Sequence, residues 1–153
     1  MKFEILAPGE GDYKRYKDFI INIDERFIPK ISEKQDLENY INKTFEKAFK
    51  FCFIENDKII ACNIVYLNVA PGYSYGSIAG VLKEYESEGL GLFLMRKANK
   101  KAKEIGSAGY RVQIRSTNLV VYKFYLSQGF QIIKDENFKN TDIHILDLQK
   151  NFF

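Results

Sequence analysis

Histidine occurs once and cysteine twice in the 153 residues, which leaves too few ligands for a zinc site of the usual Cys/His kind. His144 has no HExxH context, so a metal centre would need carboxylates from scattered positions, and none is expected. Cys52 and Cys62 lie in apolar, strand-like segments without CxxC spacing, which predicts reduced core thiols and lends nothing to a disulfide framework. No apolar run is longer than a few residues, which excludes a membrane span. The opening Met-Lys-Phe-Glu-Ile-Leu alternates charged and apolar residues where a secretory segment would be apolar, so the expectation is a cytoplasmic protein with no membrane partner. An excess of one charge is also missing: 23 basic against 20 acidic residues give a net charge of +3. The aromatic residues are not interleaved with a basic stripe, and no nucleic-acid partner is expected. Repeats, low-complexity tracts and linkers are absent. What remains is an ordinary globular composition, 46% hydrophobic and 28% charged, which predicts one domain over residues 1–153.

The periodicity of apolar residues predicts the order β-α-α-β-β-β-α-β-α-β-β. Lys2 to Leu6 alternates as a strand and is followed by the Pro8-Gly9 turn. Tyr13, Tyr16, Phe19, Ile20 and Ile23 recur at spacings of three and four, the stripe of an amphipathic helix over 12–24. Ser32-Glu33 opens a second stripe of Leu37, Tyr40, Ile41, Phe45, Ala48 and Phe49. Segments 50–55 and 58–68, split by Asn56-Asp57, read as a hairpin, and 74–82 as a further strand. Leu90, Phe93, Leu94, Ala98, Ala102 and Ile105 form a helix stripe ending near Gly106, after which Tyr110, Val112 and Ile114 alternate with polar residues. A helix over 118–127 and strands over 130–134 and 142–148 complete the chain. Because some strands arise from hairpins and others from crossovers, the sheet is expected to be mixed.

The stretch Val81-Leu82-Lys83-Glu84-Tyr85-Glu86-Ser87-Glu88-Gly89-Leu90-Gly91 carries the chemistry. A strand runs into a turn with two glycines, and an amphipathic helix starts on it, so free backbone N–H groups and the positive end of a helix dipole converge where a phosphate would be stabilised. Gly-x-Gly before a helix is a weak signal alone, and an ordinary tight turn is the competing reading. A Walker A loop is excluded because no Gly-Lys-Ser/Thr follows Gly89, and a dinucleotide fingerprint because Leu94 stands where it needs a third glycine. A pyrophosphate loop of the kind used for coenzyme A remains.

Two stretches resemble the signatures of the GCN5-related N-acetyltransferase (GNAT) superfamily. Val81 through Met95 is similar to its Gln/Arg-x-x-Gly-x-Gly/Ala loop and following helix. Asn118 through Phe130 is similar to its second signature, with Asn118 leading, Tyr125 seven residues on, and Gly129-Phe130 closing the helix. Glu86 and Glu88 stand where the family usually has Gln or Arg and a basic residue. Two carboxylates beside a diphosphate repel it unless they point to solvent.

The resemblance implies a single-domain α/β fold of the α+β kind. It has a mixed, mostly antiparallel sheet of about seven strands, about four flanking helices, and a V-shaped splay between the fourth and fifth strands. It further implies an acetyltransferase that uses acetyl-CoA as co-substrate and acts by direct attack in a ternary complex. The expected cofactor-binding residues are Ala79, Gly80, Val81, Ser87, Glu88, Gly89, Leu90, Gly91, Asn118 and Tyr122, with Tyr125 as the catalytic acid for the leaving thiolate. The acceptor, a primary amine of a small polar molecule such as an amino-sugar derivative, is expected against Asp24, Phe27, Ile28, Tyr75 and Arg115. His144, Asp24, Glu25, Glu55 and water stay open as general base, and a homodimer stays open as assembly. The competing functions are a peptide or protein N-terminal acetyltransferase and a non-catalytic acyl-CoA-binding sensor module.

Overall fold

Residues 1–27 and 29–153 are described by the computed structural model. In chain order they form β1 (Lys2–Leu6), α1 (Tyr13–Asp24), α2 (Ile31–Lys34), α3 (Leu37–Lys47), β2 (Phe49–Glu55), β3 (Lys58–Tyr66) and β4 (Ser74–Val81). A 3-10 segment (Lys83–Glu88), α4 (Leu90–Glu104), β5 (Gly109–Arg115), α5 (Leu119–Ser127), β6 (Gln131–Asn137) and β7 (His144–Asn151) follow. The seven strands form one sheet in the order β1-β2-β3-β4-β5-β7-β6. The β4–β5 pair is parallel and the other neighbours are antiparallel, so the sheet is mixed as expected.

β3 is buried along nearly its whole length, and α1 and α4 both pack on it. α1 contributes Tyr16, Phe19, Ile20 and Ile23, and α4 contributes Leu90, Leu94, Met95, Ala98 and Ala102, the stripes that the helical period marks. The β2–β3 hairpin turns on Asn56 and Asp57, both in the left-handed region at φ 51° and 61°, as a two-residue turn between twisted strands demands. Across it Cys52 and Cys62 face one another, free and fully buried, with their sulfurs 3.2 Å apart.

Two elements differ from the sequence reading. The second helix is broken in two: Gln35 is extended at φ −165°, and the Asp36 side chain caps a new helix by accepting from the Asn39 N–H at 2.9 Å. Local capping chemistry overrides a continuous apolar stripe here. The 3-10 segment between β4 and α4 buries no side chain, so hydrophobic period carried no sign of it.

The feature that positions the site is the parting of β4 and β5. Their pairing runs from Ser74↔Tyr110 to Gly76↔Val112 and stops, whereas β3 accompanies β4 as far as Val81. The β5-facing edge of residues 77–81 is left without a strand partner.

Candidate active site

A cavity of about 600 Å³ fills this opening. Its walls are residues 76–81 of β4, Val112 to Arg115 of β5, the first turns of α4, Asn118 and Tyr125 around α5, and Ile23, Arg26 and Phe27 at the end of α1. The first turns of α4 bring the electrostatics. Gly89, its N-cap, sits at φ 73°, no side chain caps the helix, and no acidic residue stands in its first turn. The leading N–H groups of a 15-residue helix therefore face the cavity mouth unneutralised, a ready site for an anionic group. Asn118 caps α5 by accepting from the Val121 N–H at 3.2 Å and still lines the cavity. Tyr125 is 3% exposed, its ring set edge-on to Phe130 at 4.8 Å, and burial raises its phenol well above the ordinary value. It holds its proton at neutral pH.

Of the residues singled out from sequence, the structure brings Ala79, Gly80, Val81, Gly89, Gly91, Asn118, Tyr125, Phe27 and Arg115 into this one cavity. Ser87 and Glu88 lie outside the lining, exposed on the 3-10 segment, which turns them to solvent. Leu90 is outside it because its side chain opens the buried stripe of α4, and Tyr122 packs half-buried against the core. Asp24 is buried but accepts from the Ser32 N–H at 3.1 Å and from Ser32 Oγ at 2.7 Å, and so serves the α1–α2 connection. Tyr75 precedes the parting of the strands and does not reach the lining. Ile28 lies outside the described residues. The candidate bases are engaged elsewhere: Glu25 with Lys30 at 2.9 Å, Glu55 with the Tyr85 hydroxyl at 2.6 Å, and His144 with Asp135 at 2.6 Å. None of them lines the cavity.

Sequence reasoning missed three contributions. Arg26 spans the cavity mouth, donating to the Val81 carbonyl and forming an ion pair with Glu86. Glu86 is thereby matched by a cation some sixty positions away, and no local spacing could have announced it. The buried Asn63 side chain lines the cavity and lies against the buried Tyr110 hydroxyl, its hydrogen-bonding neighbour. Ser77, bonded to Tyr40 Oη at 2.7 Å, adds a hydroxyl to the wall.

The two diverging strands and the uncapped helix start thus open into one cavity. The family model described as acetyltransferase (GNAT) domain matches residues 10–152, and the chain belongs to this family of N-acetyltransferases, whose acyl donor is acetyl-CoA. No curated protein matches the sequence. Solved structures share the fold. The ribosomal-protein-S18-alanine N-acetyltransferase of Escherichia coli superposes with a TM-score of 0.74 at 15% identity over 98% of this chain and 94% of its own. The NatC complex bound to Gag peptide and CoA contains a chain that matches with a TM-score of 0.73 at 15% identity over 100% of both chains. A proposed streptothricin acetyltransferase of Bacillus anthracis, in complex with acetyl coenzyme A, matches with a TM-score of 0.57 at 22% identity over 69% of this chain, which spans 63% of that protein's length. Among the described residues no helix is long and apolar enough to cross a membrane.

Proposed function

We propose that residues 1–153 act as one domain that transfers the acetyl group of acetyl-CoA to a primary amine of a small polar acceptor, within a ternary complex. The observation that carries this reading is the single cavity joining the uncapped start of α4, the unpaired edge of β4, the Tyr125 hydroxyl-bearing ring and the half-buried Arg115. The residues present fit the donor. The N–H groups around Gly89 and Gly91 suit its diphosphate, and the free edge of residues 77–81 suits an added extended arm. When bound, acetyl-CoA supplies an activated acyl carbon and a thiolate leaving group.

The protein's part is to place and to move protons. Backbone N–H groups of β4 facing the cleft stabilise negative charge on the carbonyl oxygen under attack. The proton kept on Tyr125 Oη by burial goes to the departing sulfur. Glu86 is the one carboxylate in the lining among the described residues, and its pairing with Arg26 makes it a poor base. The acceptor amine therefore sheds its proton to water. The expected pH profile of kcat/KM rises to a plateau whose midpoint follows the pKa of each acceptor amine. A midpoint held constant across acceptors of different pKa contradicts the water route.

Release of free thiol from acetyl-CoA across a panel of amines and short peptides tests the function. Transfer to small amines over peptides is the expected result. Preference for peptide N-termini favours an N-terminal acetyltransferase, and binding without turnover favours a sensor.

Two binding measurements accompany it. Acetyl-CoA at 100 times its Kd is expected to stabilise the fold by roughly 2.7 kcal/mol, read as a rise in Tm, and an unmoved Tm at millimolar acetyl-CoA removes this cavity as its site. Gly91→Val places a branched side chain at the mouth of the cavity. The nearest neighbour of the added Cβ is Val81 Cγ2 at 3.4 Å, an ordinary contact, so the fold should survive while acetyl-CoA binds about tenfold or more weakly. Calorimetric titration checks this, and equal affinity would mean that the turn is structural.

A further inference from the structure

The acceptor half of the cavity contains an arginine whose forked end meets no bonded partner among the described residues. Arg115 closes β5 and lines the cavity, with its Nε donating to the Pro29 carbonyl at 3.2 Å and its guanidinium 5.0 Å from the centre of the Phe27 ring. These two contacts fix the plane of the guanidinium, yet neither Nη meets an acceptor among the described residues, and no carboxylate there lies within ion-pair distance. Two positions earlier on the same face of β5, Gln113 also lines the cavity and accepts from Lys34 Nζ at 2.5 Å. Lys34 likewise has no carboxylate partner among the described residues. Loss of water and the charge of Arg115 both hold its ammonium below its usual value. The two cations therefore feel each other.

The charges of Asp147 and Asp24 reach Lys34 and Arg115 through space, but no carboxylate among the described residues bonds either cation. Asp147 accepts from Gln113 Nε2 at 3.0 Å, Asp24 accepts from Ser32, Glu25 pairs with Lys30, and Glu86 is tied to Arg26 at the other end. A guanidinium fixed by its Nε and by an aromatic face, with its forked Nη pair free, is pre-organised for a planar or tetrahedral oxyanion. A second cation behind a rotatable amide adds charge without fixing which oxyanion.

We propose that the acceptor amine carries an oxyanion, a carboxylate or a phosphate, and that Arg115 with Lys34 recognises it. This names the acceptor class for the transferase reading above and rests on it. Arg115 is a specificity-determining residue.

The test uses the full chain and matched acceptor pairs that differ only in the anion: an amino acid against its carboxamide, and an amino-sugar phosphate against the free amino sugar. The anionic member of at least one pair is expected to have the higher kcat/KM by about tenfold or more, and the larger ratio tells carboxylate from phosphate. Arg115→Gln should erase that preference through KM with the Kd for acetyl-CoA unchanged, and Arg115→Lys should restore part of it. A second readout needs no turnover. With coenzyme A saturating, succinate or inorganic phosphate should raise the Tm of the wild type and should do so less in Arg115→Gln and in Lys34→Gln. If Arg115→Gln does not fold, Lys34→Gln and Arg115→Lys carry both measurements. Neutral members transferred as well as anionic ones, or anion stabilisation undiminished in the variants, overturns the proposal. Anion stabilisation that depends on Arg115, in a protein that acetylates no amine, leaves the oxyanion site standing and removes the transferase reading instead.

Discussion

Tyr125→Phe is expected to lower kcat about 100-fold while leaving the acetyl-CoA Kd nearly unchanged. The ring is held edge-on between Phe124 at 5.2 Å and Phe130 at 4.8 Å, contacts that phenylalanine keeps, so removal of the oxygen isolates the proton donor. Burial keeps the phenol neutral well beyond pH 10, so it donates and does not act as a base in the working range. A free alkyl thiol has a pKa of ~8.5, so transfer from this phenol is least uphill to the fully formed thiolate and stays uphill even then, and solvent returns the proton to the phenolate afterwards. The proton is then expected to move with departure and not before it. A solvent isotope effect on kcat that disappears in the variant is the corresponding signature. Wild-type kcat in Tyr125→Phe, measured in a single turnover where chemistry limits the rate, would remove Tyr125 from the mechanism.

Gly109→Ala is the substitution expected to damage the fold most. A Cβ built at Gly109 lies 2.2 Å from the Lys150 carbonyl oxygen and 2.6 Å from the Tyr73 ring. Neither neighbour gives way readily: Lys150 belongs to β7 in register with β5, and Tyr73 is bonded to Asn151 at 2.6 Å and covered by Arg111 at 4.1 Å. Relief requires β5 and β7 to separate at the strand that borders the cavity. A loss on the order of 3 kcal/mol follows, a large share of the ~5–15 kcal/mol typical of a domain. Gly89→Ala makes the contrast, because its φ of 73° is strained for alanine but nothing lies within 4 Å of the added carbon, and its loss should be about 1 kcal/mol. Denaturant midpoints compare the two, and a Gly109→Ala chain within 1 kcal/mol of wild type would contradict the packing argument.

The contrast between these glycines also marks what could be read from the chain itself. Gly89 and Gly91 stand out because a strand period ends before them and a helix period begins after them, both local signals. Gly109 looks like any residue at a strand start, because the backbone it approaches is over forty positions away. The same division runs through the site. The α4 start, the β4 edge and the Asn118–Tyr125 spacing are contiguous patterns. The Arg26–Glu86 tie, the meeting of Asn63 with Tyr110 and the Arg115–Lys34 pair exist only once β3, β4, β5 and the α1–α2 connection are assembled. The helix expected from Ser32 to Phe49 failed at Gln35-Asp36 for a different reason. The apolar stripe is unbroken there, and it carries no sign that the Asp36 side chain will cap a new helix.

The facing thiols of Cys52 and Cys62 make the hairpin its own stopwatch. Burial and the adjoining sulfur hold the Cys62 thiol well above its usual value, and both thiols are shut away in the closed sheet, out of reach of a thiol-reactive dye. Colour can develop only when β2 and β3 come apart. When reclosing outruns the chemistry, the labelling rate divided by that of an exposed thiol gives the equilibrium constant for opening those two strands, with no denaturant added. Because β3 also borders β4, the same clock run with and without acetyl-CoA reads how far a ligand held at one edge tightens the centre of the sheet.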